Sequence, residues 1–289
     1  MHAIHLKPSG ATYAGEREEF LSGIPLPLTD GAIGPDGALY FLTGGRRLES
    51  DLYRVYYDGP ESTSPVAATP INKDHELRRS LERFHGAPNS AAVATAWPYL
   101  KHPDRHIRYA ARVAVENQPV AEWQDKALSE KDPIALINAM IALAREGKPD
   151  QKSAILKALM TINYKALSES QQIDLLRAFE LVLLRMGTPD AAQSAQVSTY
   201  LNPFYPANNA DINRGLSKVL VTLEAPGVVA KTLALLEAKE IPANTTAGGE
   251  TATASAELIM RNPQYGLDIA DMLKYMPPAQ QTFYATMLS

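Results

Sequence analysis

From Glu76 onward the apolar residues of this chain recur with helical period, and the helices this implies come in pairs. The sequence predicts pairs at residues 90–100 with 104–117, 121–129 with 134–146, 151–161 with 170–186, and 191–201 with 210–223. A fifth pair begins at Val228 and a sixth at Gln264, with Ile241 to Glu250 read as a loop interrupting the fifth. Pair starts recur roughly every 30–40 residues, the spacing of helical-hairpin repeats. Each second helix carries a stripe at i, i+3, i+4 and i+7. The stripes are Ile107, Ala110, Ala111, Ala114 and Val115; Leu136, Met140, Leu143 and Ala144; Leu176, Phe179, Val182, Leu183 and Met186; and Ile212, Leu216, Val219, Leu220 and Leu223. A short antiparallel pair cannot close a core by itself, so the pattern predicts stacking into an α-solenoid of about five to six hairpins. Helix boundaries carry matching chemistry. Asp104 follows Pro103 and suits a cap, Asp132-Pro133 and Thr188-Pro189 place a cap before a first-turn proline, and Gly147 and Gly187 suit helix ends.

Residues 1–58 read differently. Ile4 and Leu6 alternate with polar neighbours, and Ala38 to Thr43 and Asp51 to Tyr57 are rich in aromatic and branched residues. Asp36-Gly37 suits a tight hairpin turn, and Gly44-Gly45 with Arg46 to Glu49 forms the next one. Three or four antiparallel strands are expected, forming one small sheet. Pro60, Pro65 and Pro70 then mark residues 59–75 as a linker, which leaves 76–289 to the helices.

Composition narrows the chemistry. The 289-residue chain has no cysteine, which excludes disulfides, thiolate metal sites, covalent c-type haem and cysteine nucleophiles within it. A net charge of −4, evenly spread, argues against a nucleic-acid partner. No apolar run approaches the ~18–20 residues that span a bilayer, and Met1-His-Ala-Ile-His5 lacks the layout of a secretory signal.

The candidates for chemistry read mainly as structural. Asp30 and Asp36 read as loop and turn residues. Arg46 and Arg47 follow two glycines without the pattern of a phosphate loop. His102 and His106 have a chelating spacing, but Pro103 interrupts the helix between them and no third ligand is evident. His75 and His85 bracket an amphipathic helix, and His2 and His5 lie near the terminus. Arg78, Arg79 and Arg83 form a basic face beside Glu76 and Glu82, with Arg78–Glu82 a helical pair; a solvated face, or docking on the first repeat, is expected. Trp97 and Trp123 are expected to anchor the first pairs. No serine elbow, zinc-protease motif, phosphate loop or dinucleotide fingerprint occurs, so no catalytic, cofactor-binding or metal-binding residue is assigned.

Pro98-Tyr-Leu-Lys-His-Pro-Asp104, followed by Ile107-Arg108 and Ala110-Ala111-Arg112, resembles a HEAT repeat. The resemblance marks Pro98, Asp104, Ile107, Arg108 and Ala111 as its structural motif. It implies that the arginine reaches a turn aspartate of the stack while small residues permit close helix packing. Lys131-Asp-Pro133 repeats the theme without the arginine.

The whole chain is similar to one bacterial family, whose members carry a sugar-dehydrogenase-type β-propeller, then HEAT repeats, then a c-type cytochrome. The stretches that carry the likeness are Ile24 to Asp30, Ile33 to Phe41, Thr43 to Arg46, Leu81 to Gly86, Asp104 to Arg112 and Arg261 to Gly266. The resemblance implies that residues 1–58 correspond to the last propeller blade, and that the other blades and the Cys-x-x-Cys-His domain are lacking here. It implies a non-catalytic interaction or spacer module from a larger haem-binding, dehydrogenase-like protein. Its partners would be another protein or the propeller and cytochrome regions. The alternative is a quinoprotein sugar or alcohol dehydrogenase active only at full length. C-type haem and pyrroloquinoline quinone belong to the full-length relatives, which look exported to the periplasm. Against that bacterial background the Asn244-Thr-Thr246 glycosylation pattern reads as chance.

If the third stripe is core, Leu183→Ala will lower the unfolding free energy by roughly 2–5 kcal/mol. An unchanged melting temperature would contradict the assignment.

Overall fold

A computed structural model describes residues 1–23, 26–45, 48–64, 71–238 and 279–289. The turn at Arg46-Arg47, the loop at Ile241 to Glu250, the sixth pair at Gln264, the Arg261 to Gly266 stretch and the Asn244 pattern lie outside the described residues. The chain is mainly helical, with a small antiparallel β region at its start.

The β region forms two sheets where one was expected. Strands β1 (His2–Ser9) and β2 (Thr12–Glu19) pair as a hairpin closed at Ser9 and Thr12. Strands β3 (Leu28–Ile33), β4 (Leu39–Gly45) and β5 (Leu48–Val55) form an antiparallel sheet in that order. Sequence reasoning missed β2 because Thr12 to Glu19 holds four charged residues and faces solvent along almost its whole length. Its pairing comes from backbone bonds and from His5–Glu18 and Lys7–Glu16 across the strands. The Asp36-Gly37 turn falls between β3 and β4 as expected. Gly37 has φ +76, and Asp36 Oδ1 accepts the Ala38 N–H.

Helix α1 (Lys73–Glu82) begins three residues before the expected helical start at Glu76, because Asn72 caps it through the His75 N–H. The first pair is α2 (Ala92–Ala96), continued by a 3-10 turn over Trp97–Lys101, and α3 (Arg105–Glu116). The next is α4 (Gln124–Ser129) with α5 (Pro133–Glu146). Then come α6 (Lys152–Leu159) with α7 (Glu169–Met186), and α8 (Ala191–Leu201) with α9 (Ala210–Thr222). Helix α10 (Val228–Glu237) begins at the start expected for a fifth pair, and α11 (Ala279–Leu288) is the last described helix. Two boundary readings need correction. Asp190, not Thr188, caps α8, because its carboxylate reaches the Gln193 N–H. Trp123 lies at the junction before α4, not within a helix, where φ −134 places it outside the helical range.

The second helices of the first four pairs pack in chain order, α3 on α5, α5 on α7 and α7 on α9, and α11 lies against α9 and α10. Helix α1 packs against α3. All four predicted stripes are buried. In α5 burial extends without a break from Ala135 to Ala144, because α3, α7, α4 and α6 all lie against it. Close approach is helped by Gly215 on α9, where a Cβ would stand 2.9 Å from a Leu176 methyl on α7.

Depth varies along the α7 stripe. Phe179 is fully buried, whereas Leu183 keeps 9% of its surface at the edge of a groove. Phe179→Ala is therefore expected to cost about 3–5 kcal/mol, and Leu183→Ala to fall at the low end of its range. Chemical denaturation of both variants checks the order; a larger loss for Leu183→Ala would contradict it.

Candidate functional site

The residues that resemble a HEAT motif meet at the turn between the first two paired helices. Pro98 sits near the start of the 3-10 turn, where its missing N–H is no loss, and the helix ends within one turn. Asp104 then starts α3. Its Oδ1 accepts the N–H groups of His106 at 2.7 Å and Ile107 at 3.3 Å. Ile107 and Ala111 are fully buried on the α3 face that meets its neighbours.

Arg108 behaves differently from the expected arginine. Its Nη1 donates to the His102 and Pro103 carbonyls at 2.8 and 3.0 Å, closing its own turn. Its Nη2 lies 3.7 Å from Asp174 on α7, a helix aspartate rather than a turn aspartate. The turn aspartate of the next pair, Asp132, is engaged elsewhere. It caps α5 through Ile134 and Ala135 and faces Lys101 at 3.4 Å. The Arg108–Asp174 pair thus links two helices that both pack on α5.

Asp104 has a second role that the motif did not reveal. Its Oδ2 accepts the Ala11 N–H at 2.8 Å, from the tip of the β1–β2 hairpin. Asn72 Nδ2 donates to the Gly10 carbonyl at 2.9 Å, and the Tyr13 ring lies 4.6 Å from the ring of buried His75. Gly10 has φ +56, and a Cβ there would stand 2.3 Å from Asp104 Oδ2, so only glycine fits. Burial alone would raise the Asp104 carboxyl. The N–H groups of Ala11, His106 and Ile107 together outweigh it and hold the carboxyl below its usual value.

A ladder of ion pairs runs across the second helices. Arg112 and Arg145 both face Glu116, at 3.1 and 3.0 Å. Arg177 and Lys218 both face Glu180, at 2.7 and 2.9 Å. Burial dominates at Glu116 and Asp174, raising both carboxyls despite their arginines, and burial lowers Arg112. At Glu180 the hydrogen bonds from Arg177 and Lys218 overcome burial and lower the carboxyl. Beside this ladder, α7, α9 and α11 enclose a groove of about 460 Å³ walled by Leu183, Leu184, Val219 and Met287. Nothing in the local sequence signals the groove, because it arises only where three helices cross.

The other candidates are held locally. Asp30 accepts its neighbour's N–H, from Gly31. Hydrogen bonds from Arg54 and Tyr40 lower the exposed Asp36 carboxyl to about 2. His102 Nδ1 accepts the Asp104 N–H, the His106 ring lies beside Arg105, and His85 contacts the Ala110 carbonyl. Arg78 pairs with Glu82 at 3.1 Å, and α1 docks on α3 with Leu81 buried. The two tryptophans do anchor the first pairs. The Trp97 indole donates to Glu130 and the Trp123 indole to the Gln118 carbonyl. Among the described residues no group of three or more His, Asp or Glu is placed to hold a metal ion, and no helix is long and apolar enough to cross a membrane. Comparison of the chain with protein-family models, with curated proteins and with solved structures finds no match.

Asp104→Ala is expected to lose both the α3 cap, about 0.5–2 kcal/mol, and the hairpin anchor. Gly10→Ala should release only the hairpin. Amide exchange at Ala11 should quicken in both, while α3 loses protection only in the first. Because the folded Asp104 carboxyl titrates below its unfolded value, its stabilisation is complete above the ordinary aspartate range and is lost as the pH falls through the lowered value. Exchange at Ala11 that is indifferent to Gly10→Ala would contradict the anchoring.

Proposed function

We propose that the chain is a non-catalytic interaction or spacer module, an α-solenoid of HEAT-like hairpins preceded by a propeller-blade-like β segment. The observation that carries this reading is the sequential packing of α3, α5, α7 and α9, each resting mainly on its neighbours and together offering one extended helical surface. The side chains brought together along it are ion pairs and aliphatic groups, chemistry suited to recognition.

The β segment supports a place inside a larger assembly. On the hairpin, Ile4, Leu6 and Tyr13 share one exposed face with Arg17 and Glu19, while His5, Lys7, Glu16 and Glu18 occupy the other. In the second sheet Ile33 is 70% and Leu52 66% exposed. Such faces mark contact surfaces, and sheets this small gain stability from a partner. The resemblance to haem-binding dehydrogenase-like proteins supplies the partner: the remaining propeller blades, with the cytochrome beyond the solenoid.

Size-exclusion chromatography of the chain mixed with a separately produced propeller region from a relative should give a stoichiometric complex. The same chain alone should not reduce a redox dye in the presence of aldoses or alcohols, with or without pyrroloquinoline quinone. Failure to bind the propeller and cytochrome regions would remove the module reading. Turnover by the isolated chain would replace it with an enzymatic one.

A further inference from the structure

We propose that Asn72, His75 and Asp104, at the N-termini of α1 and α3, form a recognition seat for a glycine–alanine turn, filled in cis by the chain's own hairpin tip and able to accept the tip of a second copy. The inference stands independently of the module reading above. Asp104 Oδ2 accepts the Ala11 N–H at 2.8 Å, and Asn72 Nδ2 donates to the Gly10 carbonyl at 2.9 Å, so the seat reads one donor and one acceptor from consecutive residues. No side chain fits where Gly10 passes Asp104, and its φ of +56 itself favours glycine. Ala11 is fully buried within the core that holds Leu81 and Ile107, so the second residue must be small and apolar. The Tyr13 ring, 4.6 Å from that of His75, completes the contact.

Tip and seat are built separately. Asn72 Oδ1 accepts the His75 N–H at 2.9 Å, and Asp104 Oδ1 accepts those of His106 and Ile107, bonds that hold the seat without involving the tip. The hairpin is a sheet of its own, paired from His2–Glu19 to Ser9–Thr12, and its strands face solvent along almost their whole length. An element held at one point can exchange between copies, a low-cost route to a dimer. Residues 20–71 lie between hairpin and seat, a tether that gives the cis tip an effective concentration of at most about 1 mM. A tip docked about 100 times more often than free in cis then corresponds to a dissociation constant of about 10 μM or tighter between copies. Below the effective concentration the cis tip wins in the unaltered chain, so exchange is revealed by disabling cis docking.

Two full-length variants separate tip from seat. Gly10→Ala spoils the tip and leaves the seat intact; Ala11→Lys, which cannot enter the buried position, is a second tip variant. Asp104→Asn spoils the seat and leaves the tip. Its Oδ1 can still cap α3, while its amide group sets a donor against the Ala11 N–H in place of the carboxylate oxygen. Alone, neither kind of variant should pair, because each lacks one half of the contact, and Ala11 of the Asp104→Asn chain should exchange fast. Mixed in equal amounts at several times the expected dissociation constant, Gly10→Ala and Asp104→Asn chains should form a 1:1 complex by size-exclusion chromatography with light scattering. Exchange at Ala11 should slow again in the Asp104→Asn copy, followed by labelling that copy alone with nitrogen-15. Ala11→Lys in place of Gly10→Ala should give the same result. A mixture that runs as its separate components, or Ala11 exchange that stays fast in the labelled copy, would overturn the proposal. So would a complex that still forms when the Gly10→Ala copy also carries Asp104→Asn, because no intact seat then remains. Slow Ala11 exchange in the Asp104→Asn chain alone would overturn it too, since the tip would not be held by this contact.

Discussion

Everything in the helical region depends on α5 having no free face. Ten consecutive buried residues, Ala135 to Ala144, require neighbours all around the helix, and α3, α7, α4 and α6 supply them. An isolated pair of helices this short would leave half of that surface in water, at roughly 25 cal/mol per Å² of apolar area. Adjacent pairs are thus obligatory partners. The Arg108–Asp174 contact, joining the helices on either side of α5, is a consequence of that stacking, and at 3.7 Å it is a weak contributor next to burial.

How much of this could be read beforehand varies with the range of the interaction. Caps and stripes are local: Asp104 and Asp132 engage the first-turn amides, and the apolar positions of α3, α5, α7 and α9 face inward. A rule that is local but ambiguous failed at α8, where Thr188-Pro189-Asp190 offers two capping residues and only the geometry selects Asp190. Strand β2 carries charges on both faces and so lacks the alternation that betrays a strand. The second role of Asp104 and the partner of Arg108 depend on residues about 90 and 66 positions away, which no local pattern encodes. The groove beside Leu184 is illegible for the same reason.

The β segment stands in a different energetic position. Its hairpin is pinned at the tip, where Gly10 and Ala11 meet Asn72 and Asp104, while the strand faces remain open to solvent. A single anchor of this kind orients a hairpin without covering its apolar side. The residue that caps α3 is also the residue that holds the preceding hairpin, so the cap and the junction share one carboxylate. Electrostatics along the helical region follow the same economy. Glu116 and Glu180 each serve two cations from different helices, tying neighbours together at the rim of the core.

Native-state hydrogen exchange of the full chain tests the central claim, that each helix pair is held mainly by its neighbours. In a stack of nearest-neighbour contacts, protection should be highest in α5 and α7 and should fall stepwise toward α1 and α10, with distinct opening free energies for successive pairs. A single opening free energy shared by all the helices, unchanged from the centre to the ends, would contradict the account.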